Sequence, residues 1–101
     1  MKFVMRVSLP IHKFNQAIAD GTIGEKMRRI LDETKPEAVY FTAEDGKRGG
    51  ILIVDMKDVS EMPKFAEPWF LLFDAQVSLL PAMTPQDFQR AGLDAIAAKW
   101  R

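Results

Sequence analysis

The chain of 101 residues contains no cysteine and a single histidine, His12. The absence of cysteine excludes disulfides, thiolate metal sites and a cysteine nucleophile. With one histidine, a haem or zinc site would depend on carboxylates, and no group of carboxylates here has the spacing of such a site. We therefore expect no metal and no cofactor.

The chain also lacks an excess of charge of either sign. Fourteen Lys and Arg residues balance fourteen Asp and Glu residues. A nucleic-acid-binding surface normally needs a basic patch, and the pairs Arg28-Arg29 and Lys47-Arg48 are too short to form one. We expect the charges to lie on solvated faces and expect no nucleic-acid partner.

Long apolar runs are missing as well. No segment approaches the length of a membrane span, and Asp74 divides the richest apolar stretch. Arg6 interrupts the apolar run at the beginning of the chain, which argues against a secretory signal. The length and the apolar share of 48% are typical of one globular domain. We therefore expect a single domain over residues 1–101, in the cytoplasm and without a membrane partner.

Four segments show the alternation or the β-rich composition of strands. They cover residues 2–9, 37–43, 51–56 and 75–81. The third segment is apolar on both faces, which predicts a central place in the sheet. Pro81 predicts that the fourth segment lies at an edge or ends there. Asp45-Gly46 predicts a hairpin turn within residues 44–50.

Apolar residues at helical spacing predict helices between the strands. Residues 11–20 predict a short helix or a helical loop that Gly21 breaks. Thr22 and Glu25 have the spacing of a capping box, which predicts the start of a longer helix that Pro36 closes.

The richest helical stripe follows Ser60, which we interpret as its N-cap. Pro68 falls inside this stripe and predicts a kink or a break, and Asp74 ends the helix. Thr84, with Asp87 in the first turn, predicts the start of one final helix. The apolar side of that helix consists of Phe88, Leu93, Ala95, Ile96 and Trp100.

The resulting order, β-α-β-β-α-β with a terminal helix, predicts an α+β fold of the ferredoxin-like type, with a four-stranded antiparallel sheet and helices on one face. The other face would be too apolar to lie bare and too polar for an ordinary core. We therefore expect a homodimer in which two such faces enclose a cavity with polar points. The side chains expected on this face are Val4, Tyr40, Leu80, Arg6, Ser8, Thr42, Gln76 and Ser78.

Four blocks of the sequence resemble a family of short, uncharacterised bacterial proteins grouped with the dimeric α+β-barrel superfamily. These blocks are Lys35–Thr42, Val54–Asp58, Glu67–Phe73 and Pro81–Pro85. The resemblance implies the ferredoxin-like fold and a dimeric barrel. The wider superfamily includes cofactor-independent monooxygenases, muconolactone-type isomerases, dye-type haem enzymes and non-catalytic ligand-binding domains. No motif here matches one branch residue by residue, so no catalytic residue is carried over.

Two residues are candidates for moving a proton. His12 is the one side chain whose unperturbed pKa lies near neutrality; the alternative is a histidine in a surface loop. Asp74 and Glu67 flank the aromatic cluster, where apolar walls would raise a carboxyl pKa. The alternative for both is a helix-end carboxylate in water, and we favour it.

Five residues are candidates for binding a ligand. Arg6 could pair with an acidic group and Tyr40 could donate to a ligand oxygen, although a salt bridge and an interface tyrosine are the more common roles. An aromatic stripe at helical spacing usually belongs to a core, yet it could also wall a pocket. Its members are Trp69, Phe70 and Phe73.

These observations favour a homodimeric domain that binds a small molecule in a pocket between its sheet and that of its partner. The alternative is a cofactor-independent enzyme, monooxygenase- or isomerase-like, that acts on a small apolar or aromatic organic acid. A third hypothesis is a purely structural interaction domain. No catalytic signature in the sequence decides between them, and fold analogy alone does not establish a reaction.

Overall fold

A computed structural model describes all residues, Met1–Arg101. Its centre is one antiparallel sheet of four strands in the order β2-β3-β1-β4. This order confirms the α+β, ferredoxin-like prediction and the central place of the third strand. The strands are β1 (Lys2–Leu9), β2 (Ala38–Glu44), β3 (Lys47–Asp55) and β4 (Gln76–Ala82).

Five helices accompany the sheet. Three of them cover one sheet face, and two short ones follow the last strand. No helix combines the length and the apolar character that a membrane crossing demands. The helices are α1 (Ile11–Ala19), α2 (Ile23–Thr34), α3 (Met62–Phe73), α4 (Pro85–Arg90) and α5 (Leu93–Lys99), with a 3-10 turn at Val59–Glu61.

The core lies between the sheet and helices α1 to α3. The alternation of β1 sends every second side chain into it, so Met5 is fully buried opposite Leu52 of β3 and Leu79 of β4. The helices contribute large side chains from their apolar stripes. The principal ones are Ile30, Phe65, Trp69 and Phe73. Each such side chain, when fully buried, contributes about 1.5–3 kcal/mol.

Two predicted helix caps are wrong, although α2 does begin directly after Thr22. Thr22 already has helical backbone angles (φ −91°, ψ −6°), so it forms no capping box; its N–H and hydroxyl donate to Asp20 instead. Ser60 lies inside the 3-10 turn, and the extended residue Asp58 caps that turn by accepting from the Ser60 N–H. At the 3-10 turn the capping side chain therefore belongs to Asp58, whose backbone is extended (φ −145°, ψ 146°).

The structure shows no break at Pro68, one of the two alternatives expected there, and an unpredicted break at Gly92. Helix α3 continues through Pro68 without a break, because buried Phe65 and Trp69 hold it on either side of the missing N–H. The single final helix is instead divided in two at Gly92, which has φ +70°. The predicted start of a helix after Thr84 is confirmed for α4, where Thr84 and Asp87 also form a capping box.

The turn between β2 and β3 is shorter than predicted. Asp45 and Gly46 both have positive φ (55° and 74°), as a two-residue hairpin turn requires. Glu44 therefore pairs directly with Lys47, and β3 begins at Lys47 rather than at Ile51.

Candidate functional site: the open face of the sheet

The sheet face opposite the helices, here called the open face, carries the mixture of side chains that the alternation predicted. The register places Tyr40, Ile51, Arg6 and Ser78 in one row across the four strands. One neighbouring row is apolar and the other is mostly polar. These rows are Ala38, Ile53, Val4 and Leu80 on one side, and Thr42, Gly49, Ser8 and Gln76 on the other.

A cavity of about 450 Å³ occupies the polar part of the open face. Its floor is low because Gly49 and Ser8 are small, whereas Arg6, Gln76 and Lys47 stand around them. Gly49 is required by space: a Cβ there would lie 2.7 Å from the carbonyl oxygen of Val7. The backbone of β3 and β1 thus forms part of the cavity surface.

Arg6 gives the cavity its main recognition group. Its Nη2 donates to both carboxylate oxygens of Glu44, at 3.2 and 3.1 Å. This pair is solvent-exposed, so it adds little to stability. The N–H groups of Nε and Nη1 have no partner in the protein. Because a guanidinium offers five donors in a planar fork, Arg6 can donate to a second carboxylate while its bonds to Glu44 remain.

Lys47 supplies a second positive charge at the rim. It pairs across the turn with Glu44 in the backbone register but forms no ion pair, since Glu44 bonds Arg6. Arg48 points the other way, where Nη1 donates to Asn15 at 2.8 Å and the guanidinium covers the ring of Phe14. The unpaired donors of the cavity therefore suit a small anion such as a carboxylate.

The apolar row adjoins this polar cavity. Val4 and Ile53 are half-buried, whereas Leu80 is exposed and the Tyr40 side chain in the next row is 67% exposed. Charged and apolar areas therefore divide the open face between them. Such a face can hold the charged end of a ligand in the cavity while its apolar area contacts the ligand body or another protein.

The far end of the open face is closed by charge pairs. Asp55 accepts from the Met1 ammonium and from Lys2, and these bonds hold the pKa of its carboxyl below the ordinary value. Lys2 also donates to Glu37, and this bond, with that to Asp55, raises the Lys2 pKa. These bonds join the start of β1 to the end of β3 and to Glu37, which directly precedes β2. We therefore assign these charged residues a structural role.

The two candidates for proton transfer lie in the helical layer rather than at this cavity. His12 is exposed on α1, with Nε2 3.3 Å from Nε2 of Gln16. Asp74 follows α3 in the left-handed conformation, and its Oδ2 lies 3.9 Å from Nζ of Lys13. No group of three His, Cys, Asp or Glu side chains lies together as a metal site would require.

The structure separates the five candidate ligand-binding residues. Arg6 and Tyr40 share one row of the open face. Trp69 and Phe73 are buried in the core with ring centroids 6.1 Å apart, and the indole N–H of Trp69 has no partner there. Phe70 is 40% exposed and lines a different depression, between α3 and β4.

The sequence interpretation missed Glu44, Lys47 and Gly49, because it assigned residues 44–50 to a turn. A signal was present: Gly49, Ile51 and Ile53 share one phase of alternation, which extends the strand toward Asp45-Gly46. A two-residue turn then places Glu44 and Lys47 opposite each other. The glycines and charges of this segment concealed the strand, since both are rare in strand interiors.

No known protein family and no curated protein matches the sequence.

Proposed function

We propose that the protein is a homodimeric small-molecule-binding domain of the dimeric α+β-barrel kind. Two open faces pack together through their apolar rows and enclose the cavities around Arg6. The observation that carries this proposal is the unpaired donor groups of Arg6 at the wall of a cavity of about 450 Å³, a volume within the range of small-ligand sites.

The ligand class follows from the lining of the cavity. A carboxylate accepts from the free N–H groups of Arg6, and Lys47 adds a second positive charge. The apolar or aromatic body of the ligand lies against Ile51 and Tyr40, which occupy the same row as Arg6. The ligand is therefore a small organic acid.

We place binding ahead of catalysis. The enzyme hypothesis assigned proton transfer to His12 or Asp74, and neither lines the cavity. The ionisable residues at its border are Arg6, Glu44, Asp45, Lys47 and Arg48, of which Arg48 turns its side chain away toward Asn15 and Phe14. Of these, Glu44 is already bonded by Arg6, and Asp45 lies in the hairpin turn.

Calorimetric titration with benzoate and phenylacetate, each paired with its neutral amide, tests the proposal. We expect the acids to bind and the amides to bind at least about tenfold more weakly, since a charge-assisted hydrogen bond contributes about 1.5–3 kcal/mol. Arg6→Gln should weaken acid binding to the level of the amide. Arg28→Gln, on the exposed side of α2, is the matched control and should change nothing.

Equal binding of acid and amide would contradict the assigned role of Arg6. The absence of binding to every acid tested, in a protein that sediments as a dimer, would favour the purely structural interaction domain instead.

A further inference from the structure

The last part of the chain, residues 83–101, forms an arm that leaves the body of the domain. The chain measures 60 × 28 × 19 Å, with a radius of gyration of 17.1 Å, whereas a compact domain of this size has about 13 Å. No hydrogen bond or ion pair joins the arm to residues 1–82. Its two partly buried residues, Thr84 and Asp87, bond each other in the capping box.

The arm exposes a stripe of apolar side chains, which is unusual for a helix that lies in solvent. Leu93, Ile96 and Trp100 lie at i, i+3 and i+7, so they form one stripe along α5. All three are exposed, and Trp100 is 86% exposed. Isolated helices shorter than about 12 residues are marginal in water and depend on packing. The seven-residue α5 therefore needs a surface to cover its stripe.

The body has an uncovered apolar groove, here called the α3–β4 groove. It measures about 300 Å³ and is lined mainly by apolar side chains. It exists because the helices leave the outer strand partly bare: Val77 and Leu79 face the helical layer yet are only half-buried. Met62 and Phe70 form the opposite wall from α3 and are exposed themselves.

The end of the arm and the rim of the groove carry opposite charges. Glu67 stands at the rim of the groove, exposed and without an ion-pair partner. Lys99 and Arg101 at the end of the arm are exposed and unpaired as well. An arm whose stripe lies in the groove can bring one of these cations to Glu67.

The arm does not reach the groove of its own chain. Strand β4 continues to Ala82, no turn follows it, and Thr84 is extended (φ −75°, ψ 165°) with its geometry held by the capping box. The chain therefore runs away from Val77 and Leu79. Because β4 is an edge strand, an arm from a facing second copy can pass round that edge into the groove.

We propose that the arm of each copy docks in the α3–β4 groove of a second copy, and that the exchange is reciprocal. Reciprocity closes the assembly with two-fold symmetry, so no free groove remains to propagate it. An aromatic ring buries roughly 150–250 Å². The two aromatic residues of each arm, Phe88 and Trp100, would together bury about 600–1,000 Å² over the two arms, a large part of the roughly 1,600 Å² of a standard interface. The large apolar residues of each arm are Met83, Phe88, Leu93, Ile96 and Trp100.

This inference rests on the proposed homodimer, and cross-linking tests it directly. The natural chain has no cysteine, so Ala97→Cys in α5 and Met62→Cys in the groove each introduce the one thiol of a chain. The two variants carry different tags and are mixed to exchange subunits before a short bis-maleimide is added. We expect a mixed-tag product of twice 11.5 kDa, at least about tenfold above the yield when Lys47→Cys in the hairpin replaces Met62→Cys.

Two results would overturn the exchange. One is equal yield from the groove and hairpin thiols. The other is an intrachain product at monomer mass in the doubly substituted chain at high dilution, which would place the arm in its own groove. A second measurement uses no cysteine: Trp100→Ala should raise the dimer dissociation constant about tenfold or more, because buried tryptophan commonly anchors interfaces. An unchanged constant would also overturn the exchange.

The failure of this inference can be told apart from that of the proposed function. If the dimer binds organic acids but gives no mixed-tag product, the proposed function stands and the arm exchange is contradicted. If a mixed-tag product forms but no acid binds, the arm exchange stands and the ligand proposal is contradicted. A chain that sediments as a monomer at micromolar concentration contradicts both.

Discussion

The side chains on the two faces of the sheet differ in how deeply they are buried. On β1 and β3, Met5, Leu52 and Val54 are fully buried beneath the helices. Their immediate neighbours Val4 and Ile53, on the same strands, are only half-buried on the open face. The helices thus bury the two central strands on one face, whereas the apolar residues of the other face stay partly exposed.

The largest expected effect comes from the covered face. Phe73→Ala should lower the free energy of unfolding by about 3–5 kcal/mol, because Phe73 is fully buried in the core and its removal leaves a cavity. Tyr40→Ala deletes a ring of similar size from the open face and should cost at least about 2 kcal/mol less. Urea unfolding of both variants measures the difference. Equal losses would mean that the two faces are equally buried.

A charge on the open face should act on association rather than on folding. Leu80→Asp places a carboxylate in the apolar row and should raise the dimer dissociation constant roughly a hundredfold, since burying an unpaired charge is costly. Ile11→Asp puts the same change on the exposed start of α1 and should leave the constant unaltered. Sedimentation over a concentration series checks both. If Leu80→Asp dimerises as well as the natural chain, the open face is not the interface.

Gly49 tests whether the cavity floor needs its close backbone approach. Gly49→Ala should destabilise the protein by about 1–3 kcal/mol, because the added Cβ would lie 2.7 Å from the Val7 carbonyl oxygen, an overpacked contact. Gly24→Ala adds the same methyl group on α2 with no atom within 4 Å and should stabilise by about 0.5 kcal/mol. Thermal unfolding compares them. If Gly49→Ala leaves the stability unchanged, the backbone of the cavity floor can shift to accommodate the added methyl group.

The smallest effect concerns the charge group at the far end of the open face. The pKa of Asp55 is lowered by the Met1 ammonium and Lys2. Its stabilising effect is therefore present above the unfolded-state pKa and is lost as pH falls below about 4. Thermal midpoints from pH 7 to pH 2 should show a weaker acid dependence for Asp55→Asn. Because the pair is exposed, 0.5 M salt should reduce the difference; an acid dependence identical to that of the natural chain would contradict this role.

Local patterns predicted most of the fold. The alternation in β1, the central third strand and the open-face members from β1, β2 and β4 were readable, since a period of two fixes which side chains share a face. The members from β3 were not, because that strand is apolar on both faces. The caps at Thr22 and Ser60 were not, because a cap depends on backbone angles that the tertiary structure decides. The break at Gly92 was missed because an isolated glycine is tolerated within a helix pattern.

The candidate site was predictable only in part. Arg6 and Tyr40 belonged to a set assigned by alternation, and register then placed them in one row. Whether Trp69 or Phe70 is exposed depends on how α3 packs over the sheet, and helical spacing alone does not give that rotation. The arm was beyond prediction, because the apolar stripe of α5 predicts a covered helix without saying which molecule covers it.

The strand order also dictates when the chain can fold during synthesis. Strand β1 is made first, yet both of its neighbours come much later, since Lys2 lies opposite Asp55 of β3 and Ala82 of β4. The hairpin of β2 and β3 and the nearby helices can form early from local contacts. The apolar side of β1 is therefore not fully covered until β3, α3 and β4 have been synthesised. We expect the domain to fold at the slow end for its size, with β1 as the segment that most needs protection from aggregation meanwhile.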